Sequence, residues 1–534
     1  MMRKIEEGAT RWLALGVVAF VLQFSAGCAM TPEARAKYAP GAVQVSPGQG
    51  LVALKITGNR PGVSTFFGKW ATLRVQNLST KETFALSDRS DSSAPHSLFV
   101  EALPAGTYSI DAVGNQASGW LTITEGARAR GTFPTFKIAD GHITNLGTLA
   151  YIRNHYPVDT AQFQWGELES PFDQTSIVRQ LEPSLASRLS KRTVLGWDEG
   201  NQLRERQAAV EASRHNTLRV LAPTPLADGS FLFGESFGQI AMRSRAGDWR
   251  WLQTPAALPI RAIYVDDGGV IFAGSDDAVF LSGHVGGGSW ESIALPVNDA
   301  SVIYIGAMPN TAEELLVVLQ TRDRFIGLST SKRKPGQWTE QFSRPRALFS
   351  NPTLDANGVV LKSGENLVVA AGSVEAKLEV VTYDKNKRAW KATALNESGS
   401  PLSWVSLGDG SIGHFGGIPL TGMYFTVSND SGVTWERRGD LNWANNSLLF
   451  VSNKIGYVVR TDSTPALDPE KFELSLWRTD DGGRNWKKVG RTPTIHGKLI
   501  PLQGTEGLGY ASVNGKFFVS SDGGRSWRLE RQIP

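Results

Sequence analysis

The residues of this 534-residue chain that could carry out chemistry are few and scattered. Residues 234–238 read Gly-Glu-Ser-Phe-Gly, the pattern around a nucleophilic serine, but that serine needs a strand, a sharp turn and a helix. Here the run lies between two strand-like segments, which favours a hairpin turn. The acidic pairs Asp266-Asp267 and Asp276-Asp277 would serve glycoside hydrolysis only if two carboxylates converged, and both pairs fall in predicted turns.

No metal, cofactor or nucleotide site is indicated. The seven histidines lack ligand spacing, the single cysteine excludes a Cys-x-x-Cys site, and no phosphate-binding loop or dinucleotide fingerprint occurs. The net charge of +4 is a small imbalance between 55 basic and 51 acidic residues and does not argue for nucleic acid. We therefore expect no metal, no cofactor and no nucleic-acid partner, and the sequence names no catalytic residue.

The most regular pattern is a repeat near the C-terminus. The motif Ser/Thr-x-Asp-x-Gly-x-polar-Trp occurs at residues 428–435, 479–486 and 520–527. An Asp side chain can cap the N–H groups of its own tight turn, and a Gly supplies the positive φ that a Cβ would penalise. We predict that each motif is a structural turn. Its fixed positions are Asp430, Gly432, Trp435, Asp481, Gly483, Trp486, Asp522, Gly524 and Trp527.

Tryptophan marks more copies of this repeat than aspartate does. Seven Trp residues, spaced 41 to 52 residues apart, sit where a polar turn gives way to a strand-like run: Trp249, Trp290, Trp338, Trp390, Trp435, Trp486 and Trp527. Four short strands with their turns need roughly 40–50 residues, which is one propeller blade. The spacing predicts seven blades over residues 216–534, with the last blade made wholly from C-terminal sequence.

Residues 216–534 resemble the Asp-box (BNR) β-propellers, and the last blade is most similar to the photosystem assembly-factor and sortilin branches. Sialidases and some endoglucanases share the box, so the resemblance implies a fold far more than a function. In that family the box lies on the turn between the third and fourth strands, away from the binding face. Sialidases also use an Arg-Ile-Pro motif, whereas residues 259–261 here read Pro-Ile-Arg and residues 417–419 read Gly-Ile-Pro.

The resemblance implies a binding face on the opposite rim, where each blade connects to the next. The residues that we predict there are rich in Arg and Trp, the types that contribute most to interface energy. The candidate face consists of Arg261, Arg344, Arg346, Trp404, Trp443, Asn445, Arg491 and His496. Its guanidinium groups favour an acidic partner. The alternative is a set of solvated loop residues, with Trp404 and Trp443 packed in the blade core.

The N-terminus is predicted to be a targeting segment. A basic segment precedes an apolar run over residues 12–24, which is too short to span a bilayer comfortably and ends in Ser-Ala-Gly-Cys28. The ending resembles a bacterial lipobox, so we predict a signal peptide over residues 1–28 with Cys28 lipidated. Ala29 in place of Asp favours the outer membrane, on its periplasmic side. An ordinary secretory signal or an uncleaved anchor is the alternative.

The region between the anchor and the repeats divides into three parts. Residues 29–47 are rich in Pro, Ala and Gly and read as a tether. Residues 48–155 hold seven or eight short strand-like runs, which predicts an Ig-like or transthyretin-like β-sandwich. In residues 156–215, apolar side chains between 177 and 189 recur at helical spacing, which predicts a short helical connector.

These patterns predict a mainly β chain with an N-terminal β-sandwich, a short helical connector and a C-terminal seven-bladed β-propeller. We interpret it as a membrane-anchored, non-enzymatic envelope protein that binds a protein or glycan partner at the propeller face, as an assembly factor would. The alternative is a sialidase-like glycan-active enzyme or lectin. Two converging carboxylates in a cleft of that face would favour the alternative.

Replacing Cys28 with Ala tests the predicted anchor. Two or three acyl chains give stable membrane attachment, so the variant is expected to move from the membrane fraction to the soluble fraction. Cell fractionation followed by immunoblotting measures the shift. A Cys28→Ala chain that still partitions fully with membranes would contradict the prediction.

Overall fold

The computed structural model of the chain describes the following residues: 43–58, 70, 72–89, 96–115, 119–122, 135–153, 163–168, 194–198, 221–256, 258–297, 300–309, 311–321, 324–345, 359–363, 366–370, 379–384, 387, 389–394, 403–418, 422–430, 432–440, 444–461, 474–494, 497–502, 506–512 and 516–532. Over these ranges the chain is mainly β, and its one helical element is a 3₁₀ turn at Ser236–Gly238. None of the described helical structure is long and apolar enough to cross a membrane. Cys28 and the predicted signal peptide lie outside the described residues.

The described part of residues 43–198, which we call the N-terminal unit, contains ten strands. They are β1 (Gln49–Gly58), β2 (Thr72–Asn77), β3 (Thr83–Ser87), β4 (His96–Pro104), β5 (Gly106–Asn115), β6 (Gly119–Thr122), β7 (Phe136–Ile138), β8 (Ile143–Arg153), β9 (Phe163–Leu168) and β10 (Val194–Leu195). One sheet has the order β10-β8-β1-β4, with β9 also paired to β8. The other has the order β3-β2-β5-β6, with β7 also paired to β5. Strand β8 runs parallel to β1.

The two sheets of the N-terminal unit share one hydrophobic core. Alternation along β2 turns Leu73 and Val75 inward, because successive side chains of a strand point to opposite faces. They belong to the same buried cluster as Val52 and Leu54 of β1 in the other sheet. The indole of Trp197 also enters this cluster and donates a hydrogen bond to a backbone carbonyl at 2.9 Å.

The region predicted as a helical connector, residues 156–215, departs from that prediction at two places. Residues 163–168 form β9 and residues 194–195 form β10, and both strands pair with β8. The run Phe-Gln-Trp-Gly-Glu-Leu of β9 begins with a period of two, which favours a strand, but the helical spacing further along the chain dominated the sequence interpretation. The remaining residues of the predicted connector, apart from 196–198, lie outside the described residues.

Beyond residue 220 the strands that the structure describes form seven consecutive units. Units 1 to 3 are four-stranded sheets made of β11 (Leu221–Pro225), β12 (Phe231–Gly234), β13 (Gln239–Arg243), β14 (Trp249–Gln253), β15 (Ala262–Val265), β16 (Val270–Gly274), β17 (Phe280–His284), β18 (Glu291–Ser292), β19 (Ser301–Met308), β20 (Thr311–Gln320), β21 (Arg324–Ser331) and β22 (Thr339–Pro345). Unit 4 is described as two hairpins, made of β23 (Val359–Ser363), β24 (Asn366–Ala370), β25 (Glu379–Asp384) and β26 (Ala389–Ala394).

Units 5 to 7 are again four-stranded sheets. They are made of β27 (Ser403–Ser406), β28 (Ile412–Ile418), β29 (Gly422–Ser428), β30 (Glu436–Asp440), β31 (Ala444–Phe450), β32 (Gly456–Thr461), β33 (Leu474–Thr479), β34 (Lys487–Arg491), β35 (Gly497–Pro501), β36 (Leu508–Ser512), β37 (Lys516–Ser520) and β38 (Arg528–Gln532). Pairing is antiparallel in sequence order throughout, and all four strands of unit 7 come from the C-terminal sequence. Each of the seven Trp marks lies at the start of the fourth strand of its unit or directly before it.

Antiparallel order gives every sheet two distinct ends. The Asp-turn end carries the turns between the first and second strands and between the third and fourth strands. The link end carries the loop between the second and third strands together with the start of the first strand. The three sequence motifs with a turn aspartate therefore lie at the Asp-turn ends of units 5, 6 and 7.

The first strands of consecutive units lie side by side, which arranges the sheets radially. A backbone hydrogen bond joins unit 2 to unit 3, from Val302 N to Ser275 O at 3.0 Å. The approach requires a glycine before Ser275, because a Cβ on Gly274 would lie 2.2 Å from the Val302 side chain. Units 1 and 2 repeat this arrangement, with Ile260 N donating to Glu235 O at 3.0 Å.

The first and last units also pack against each other, at a contact that we call the seam. The Phe233 and Phe517 rings lie 6.4 Å apart, and the Trp249 ring meets Phe517 edge-on at 5.0 Å. The Arg243 guanidinium donates two hydrogen bonds of 2.7 Å to the Glu530 carboxylate. Both side chains are over 90% buried, so little water reaches either charge. If one partner were lost, solvent could not take its place.

Replacing Glu530 with Ala tests the seam. The change leaves the buried Arg243 guanidinium without its anion, which typically costs about 3–5 kcal/mol. Urea unfolding followed by Trp fluorescence should show that loss. The control is Glu313→Ala, which removes an exposed carboxylate paired with the exposed Arg333 and should cost about 1 kcal/mol or less. Equal effects of the two changes would show that the seam is not buried in solution.

Candidate functional site

The structure describes five of the eight residues of the predicted binding face, and these five lie at different places in the sheets. Arg261 precedes β15, Trp404 lies in β27 and Asn445 lies in β31, so these three are at the link ends of first strands. Arg344 and Arg491 instead lie near the ends of the outer strands β22 and β34. The other three members lie outside the described residues: Arg346, Trp443 and His496.

Arg491 lies against the Asp turn of the next unit. Its carbonyl accepts a hydrogen bond of 3.1 Å from the Trp527 indole. A Cβ on the neighbouring Gly490 would come within 2.5 Å of the Gly524 carbonyl oxygen. Sheet twist explains this position, because it rotates an outer strand away from the direction of the first strand. The structure therefore places Arg491 beside a structural turn and not beside the first strands.

Trp404 is half-buried in an aromatic group within unit 5. Its ring centroid lies 4.9 Å from that of His414 and 5.8 Å from that of Trp435. The His414 side chain is buried, and its Nε2 lies 3.0 Å from the Thr426 hydroxyl. This packing matches the alternative stated from the sequence, in which Trp404 belongs to the blade core.

Arg261 is held by an aspartate at the link end of unit 2. Its guanidinium donates to Asp276 Oδ1 at 3.0 Å, and the Ser301 hydroxyl donates to the same oxygen. The Asp276 side chain is buried, so the arginine balances its charge. Arg261 therefore stabilises the loop between β16 and β17, which weakens the prediction that its charge recruits an acidic partner.

That loop contains a strained turn. Val279 N donates to Asp276 O at 3.3 Å, and the two central residues have positive φ, 58° at Asp277 and 55° at Ala278. This is the type I′ pattern, which strongly favours Asn-Gly. Left-handed backbone at a non-glycine residue costs on the order of 1–3 kcal/mol and persists only when the surroundings enforce it. Here Ala278 N donates to Ala300 O of the next unit at 2.6 Å.

The tip of this turn meets the N-terminal unit. The Asp277 carboxylate accepts a short hydrogen bond from the Lys55 ammonium of β1. His96 Nε2 of β4 lies 3.6 Å from the other Asp277 oxygen. Burial alone would raise the pKa of Asp277, but the charges of Lys55 and His96 outweigh it and lower the pKa. Asp277 is therefore held as an anion at the contact between the two parts of the chain.

The sequence interpretation assigned Asp276 and Asp277 to a turn and missed this contact. One signal was available in β1, where Lys55 interrupts an otherwise apolar run from Leu51 to Ile56. A lysine inside a buried strand usually has an anionic partner, and Lys55 is only 4% exposed. The partner lies 222 residues away, so sequence spacing alone does not reveal it.

Lys498 is a second link-end residue that the sequence interpretation did not name. It lies in β35, the first strand of unit 7, and no ion pair or hydrogen bond is recorded for its ammonium among the described residues. Its side chain is exposed, yet burial lowers its pKa. Unpaired cations with perturbed pKa values are candidates for binding sites.

The other motifs that could carry chemistry have structural positions. Ser236 of the Gly-Glu-Ser-Phe-Gly run is buried in the 3₁₀ turn between antiparallel strands, which is not the setting of a nucleophile. Asp266 Oδ1 accepts from Gly268 N at 2.9 Å and from Val270 N at 2.8 Å, as predicted for a turn residue. The described residues contain no group of three or more potential ligands arranged to hold a metal ion.

The Asp turns use their polar atoms internally. In the turn of unit 6, Asp481 accepts from Asn485 N at 2.9 Å and from Asn485 Nδ2 at 2.7 Å. The buried Thr479 hydroxyl donates to Asp481 at 2.8 Å and accepts from Gly483 N at 2.9 Å. Gly483 has φ 93°, the conformation that the motif predicted. The Trp486 indole donates to Gly483 O at 3.0 Å.

The turns of units 5 and 7 repeat this network. Asp430 accepts from Thr434 N at 2.8 Å, and Asp522 accepts from Ser526 N at 3.0 Å. The sequence interpretation assigned roles to Asp, Gly and Trp and included two further positions of the motif without giving them a role. These are the buried hydroxyl at its first position and the polar residue before Trp, whose hydrogen bonds close the turn.

Comparisons with known proteins find similar solved structures. No family model matches the sequence, and no curated protein matches it. Among solved structures, the chain is similar to YCF48 bound to D1 peptide, with 13% identity over 57% of this chain and 92% of that chain and a TM-score of 0.42. It is also similar to the β-propeller domain of Cps50 (Swd1) from Myceliophteria thermophila, with 11% identity over 57% and 99% of the two chains and a TM-score of 0.39.

A third structure is the β-propeller domain of the Trilobed protease from Pyrococcus furiosus. It shares 9% identity over 59% of this chain and 99% of that chain, with a TM-score of 0.38. At such identities a likeness concerns the fold alone. The described residues are mainly β, and the structural neighbours of the chain include β-propeller domains.

Replacing Asp481 with Ala tests the role of the Asp turns. Partial burial would raise its pKa, but hydrogen bonds led by Asn485 lower it to about 2. The carboxylate should therefore stabilise the fold fully above its unfolded pKa of about 4, and less as the pH falls towards 2. We expect the variant to lose about 0.5–2 kcal/mol at pH 7, with the difference shrinking below pH 4.

The control for this change is the neighbouring Asp480→Ala, whose side chain is 62% exposed and pairs with Arg478. Arg478 is mostly buried but keeps its second partner, Glu506, at 2.7 Å, so the change should cost about 1 kcal/mol or less. Denaturant unfolding at several pH values makes the comparison. An Asp481→Ala chain as stable as wild type at pH 7 would contradict a structural role.

Proposed function

We propose that residues 216–534 form one closed, seven-bladed β-propeller of the Asp-box type, preceded by a β-sandwich. Two observations support closure. The first strands of consecutive units lie side by side, and the seam joins unit 7 to unit 1 through a shared apolar cluster that includes Phe231, Phe233 and Phe517. The Asp turns then lie on one face of the ring, and the link ends lie on the other.

We further propose that this propeller binds a protein partner at its link end. The observation that carries the proposal is the contrast between the two ends. At the Asp-turn end of units 5 to 7, the carboxylates and hydroxyls of the motifs are satisfied within their own turns. At the link end, Lys498 presents an ammonium that is partly desolvated and for which no partner is recorded in the described residues. Such a group favours a carboxylate of a partner.

A binding role fits the link end better than glycoside hydrolysis does. Hydrolysis needs one carboxyl group with a raised pKa and a second carboxylate on the other side of the scissile bond. The adjacent carboxylates of Asp276 and Asp277 are instead held by Arg261 and Lys55, and the pKa of Asp277 is lowered. The pair therefore lacks a general acid. A glycan ligand is the alternative outcome of the capture experiment below.

The proposed setting is the periplasmic side of the bacterial envelope, with outer-membrane attachment. It follows from the lipobox-like ending at Cys28 and the Ala at position 29. The tether over residues 29–47 would leave the folded units a short distance from the membrane surface. A lipid anchor keeps such a protein beside envelope partners, which suits a non-enzymatic binding or assembly role.

Replacing Lys498 with Gln tests the proposed binding end. The change removes the positive charge and keeps most of the side-chain length, so capture of the native partner from envelope extract should fall about tenfold, or by about 1.4 kcal/mol. Quantitative mass spectrometry of captured proteins, with glycan analysis of the same eluate, makes the measurement. The matched control is Lys487→Gln, an exposed lysine directly after an Asp turn, which should leave capture unchanged.

Three outcomes would count against this proposal. Unchanged capture by a folded Lys498→Gln chain would move the binding site away from the link end of unit 7. A loss of equal size with Lys487→Gln would indicate a non-specific charge effect. Recovery of glycan without protein would favour the lectin alternative.

A further inference from the structure

The contact between the N-terminal unit and the propeller lies on the end to which we assign partner binding. Lys55 and His96 come from neighbouring strands of one sheet, and Thr57 is the register partner of His96. The side chains of Lys55 and His96 are both about 95% buried. Each reaches the carboxylate of Asp277, which belongs to the link-end loop of unit 2. The N-terminal unit thus covers part of the link end.

The loop between β16 and β17 holds the Asp277 carboxylate towards the N-terminal unit. Asp276 is fixed by Arg261 and Ser301, and Ala278 N is fixed by the carbonyl of Ala300. These contacts anchor the base of the turn to units 2 and 3. They leave the side chain of the central residue, Asp277, as the group that meets the N-terminal unit.

The backbone conformation of the turn also indicates that the turn holds one side chain in a defined place. Asp277 and Ala278 both adopt left-handed backbone, although an Asn-Gly pair would do so with less strain. Strain of this kind collects where a structure must hold a group in a particular place. In this loop, the group that the strain places is a carboxylate, and the group that it meets is a primary ammonium.

We propose that the Asp277 turn is a lysine-recognition site that Lys55 of the same chain occupies, and that a basic side chain of the partner competes for it. The proposal rests on the proposed binding at the link end. With Lys55 in place, the N-terminal unit stays docked and screens unit 2. A partner lysine or arginine that takes its place releases the N-terminal unit and exposes the rest of that end.

The proposal defines the chemistry of the partner. The Asp277 site is one compact carboxylate in contact with one ammonium. Such a site suits a lysine side chain better than it suits an extended apolar segment. Lys498 on unit 7 favours an acidic group, so the matching partner surface carries a basic and an acidic residue at separate positions. Docking of the N-terminal unit then adds specificity, because a partner without the basic residue must bind an end that is partly covered.

The first experiment measures docking by hydrogen–deuterium exchange of the full-length chain. Asp277→Asn removes the charge but keeps a residue that tolerates left-handed backbone, so the turn should persist. We expect amides of β1, β4 and the 275–279 loop to exchange at least tenfold faster, with units 5 to 7 unchanged. The matched control is Asp111→Asn, which neutralises a carboxylate of similar exposure in an ion pair inside the N-terminal unit. Its effect should stay within β2 and β5.

The second experiment asks whether the site recognises a free ammonium. Lys55→Ala should give the same fast exchange in the 275–279 loop, and adding n-butylamine, which supplies the missing ammonium, should slow it again. The neutral isostere n-butanol should not. Lys55→Met fills the space without a charge, so n-butylamine should not rescue it. Both variants keep β1 apolar, and a circular dichroism spectrum like that of wild type confirms their fold.

The outcomes separate this proposal from the one on which it rests. Wild-type exchange in folded Asp277→Asn would show that the contact does not hold the N-terminal unit. Failure of n-butylamine to slow exchange in Lys55→Ala would show that the turn is not a lysine site. Neither measurement uses the partner, so both remain valid if Lys498→Gln leaves capture unchanged. Once a partner is identified, its binding to the Asp277→Asn chain should no longer depend on the partner's basic residue.

Discussion

The structure depends on one constraint, which is that each sheet of the repeat has two apolar faces. One unit cannot bury both faces alone, so each packs between two neighbours. Buried clusters join unit 1 to 2, 2 to 3, 3 to 4, 5 to 6 and 6 to 7. A row of such sheets would leave one face exposed at each end. The seam removes that exposure, because aromatic rings of units 1 and 7 pack on each other beside a buried ion pair.

Radial packing of this kind assigns different tasks to the two ends of the sheets. At the Asp-turn end, short loops satisfy their own polar groups and fix the fourth strand. At the link end, loops reach towards the next unit, and in unit 2 one of them reaches the N-terminal unit as well. A strained, charged turn and a partly desolvated lysine both lie there. This concentration of unusual side chains is the physical basis for assigning recognition to the link end.

Local chemistry explains which features the sequence predicts well. The turn motif acts within eight residues, so Asp, Gly and Trp at fixed spacing identify the fourth strands of units 5 to 7. Trp spacing alone extends the pattern to units 1 to 4, where the turns have lost most of the motif. Alternation of apolar residues likewise predicts the strands of the N-terminal unit. Residues 163–168 were misassigned because a helical pattern nearby outweighed a short alternation.

Features that depend on distant contacts did not follow from the sequence. Arg491 was placed on the binding face from strand order, but sheet twist carries the end of its strand to the next Asp turn. Arg261 was counted as a free cation, but Asp276 holds it. Asp277 read as an ordinary turn residue, because neither its backbone conformation nor its partner Lys55 is visible in the local sequence.

The central claim is that partners bind the link end and that the Asp turns serve structure. Hydrogen–deuterium exchange of the chain, free and with its captured partner, tests this directly. We predict slower exchange of the amides around Lys498 on partner binding, with unchanged exchange in the Asp turns at residues 481–486 and 522–527. Slower exchange confined to those turns, with no change around Lys498, would contradict the claim.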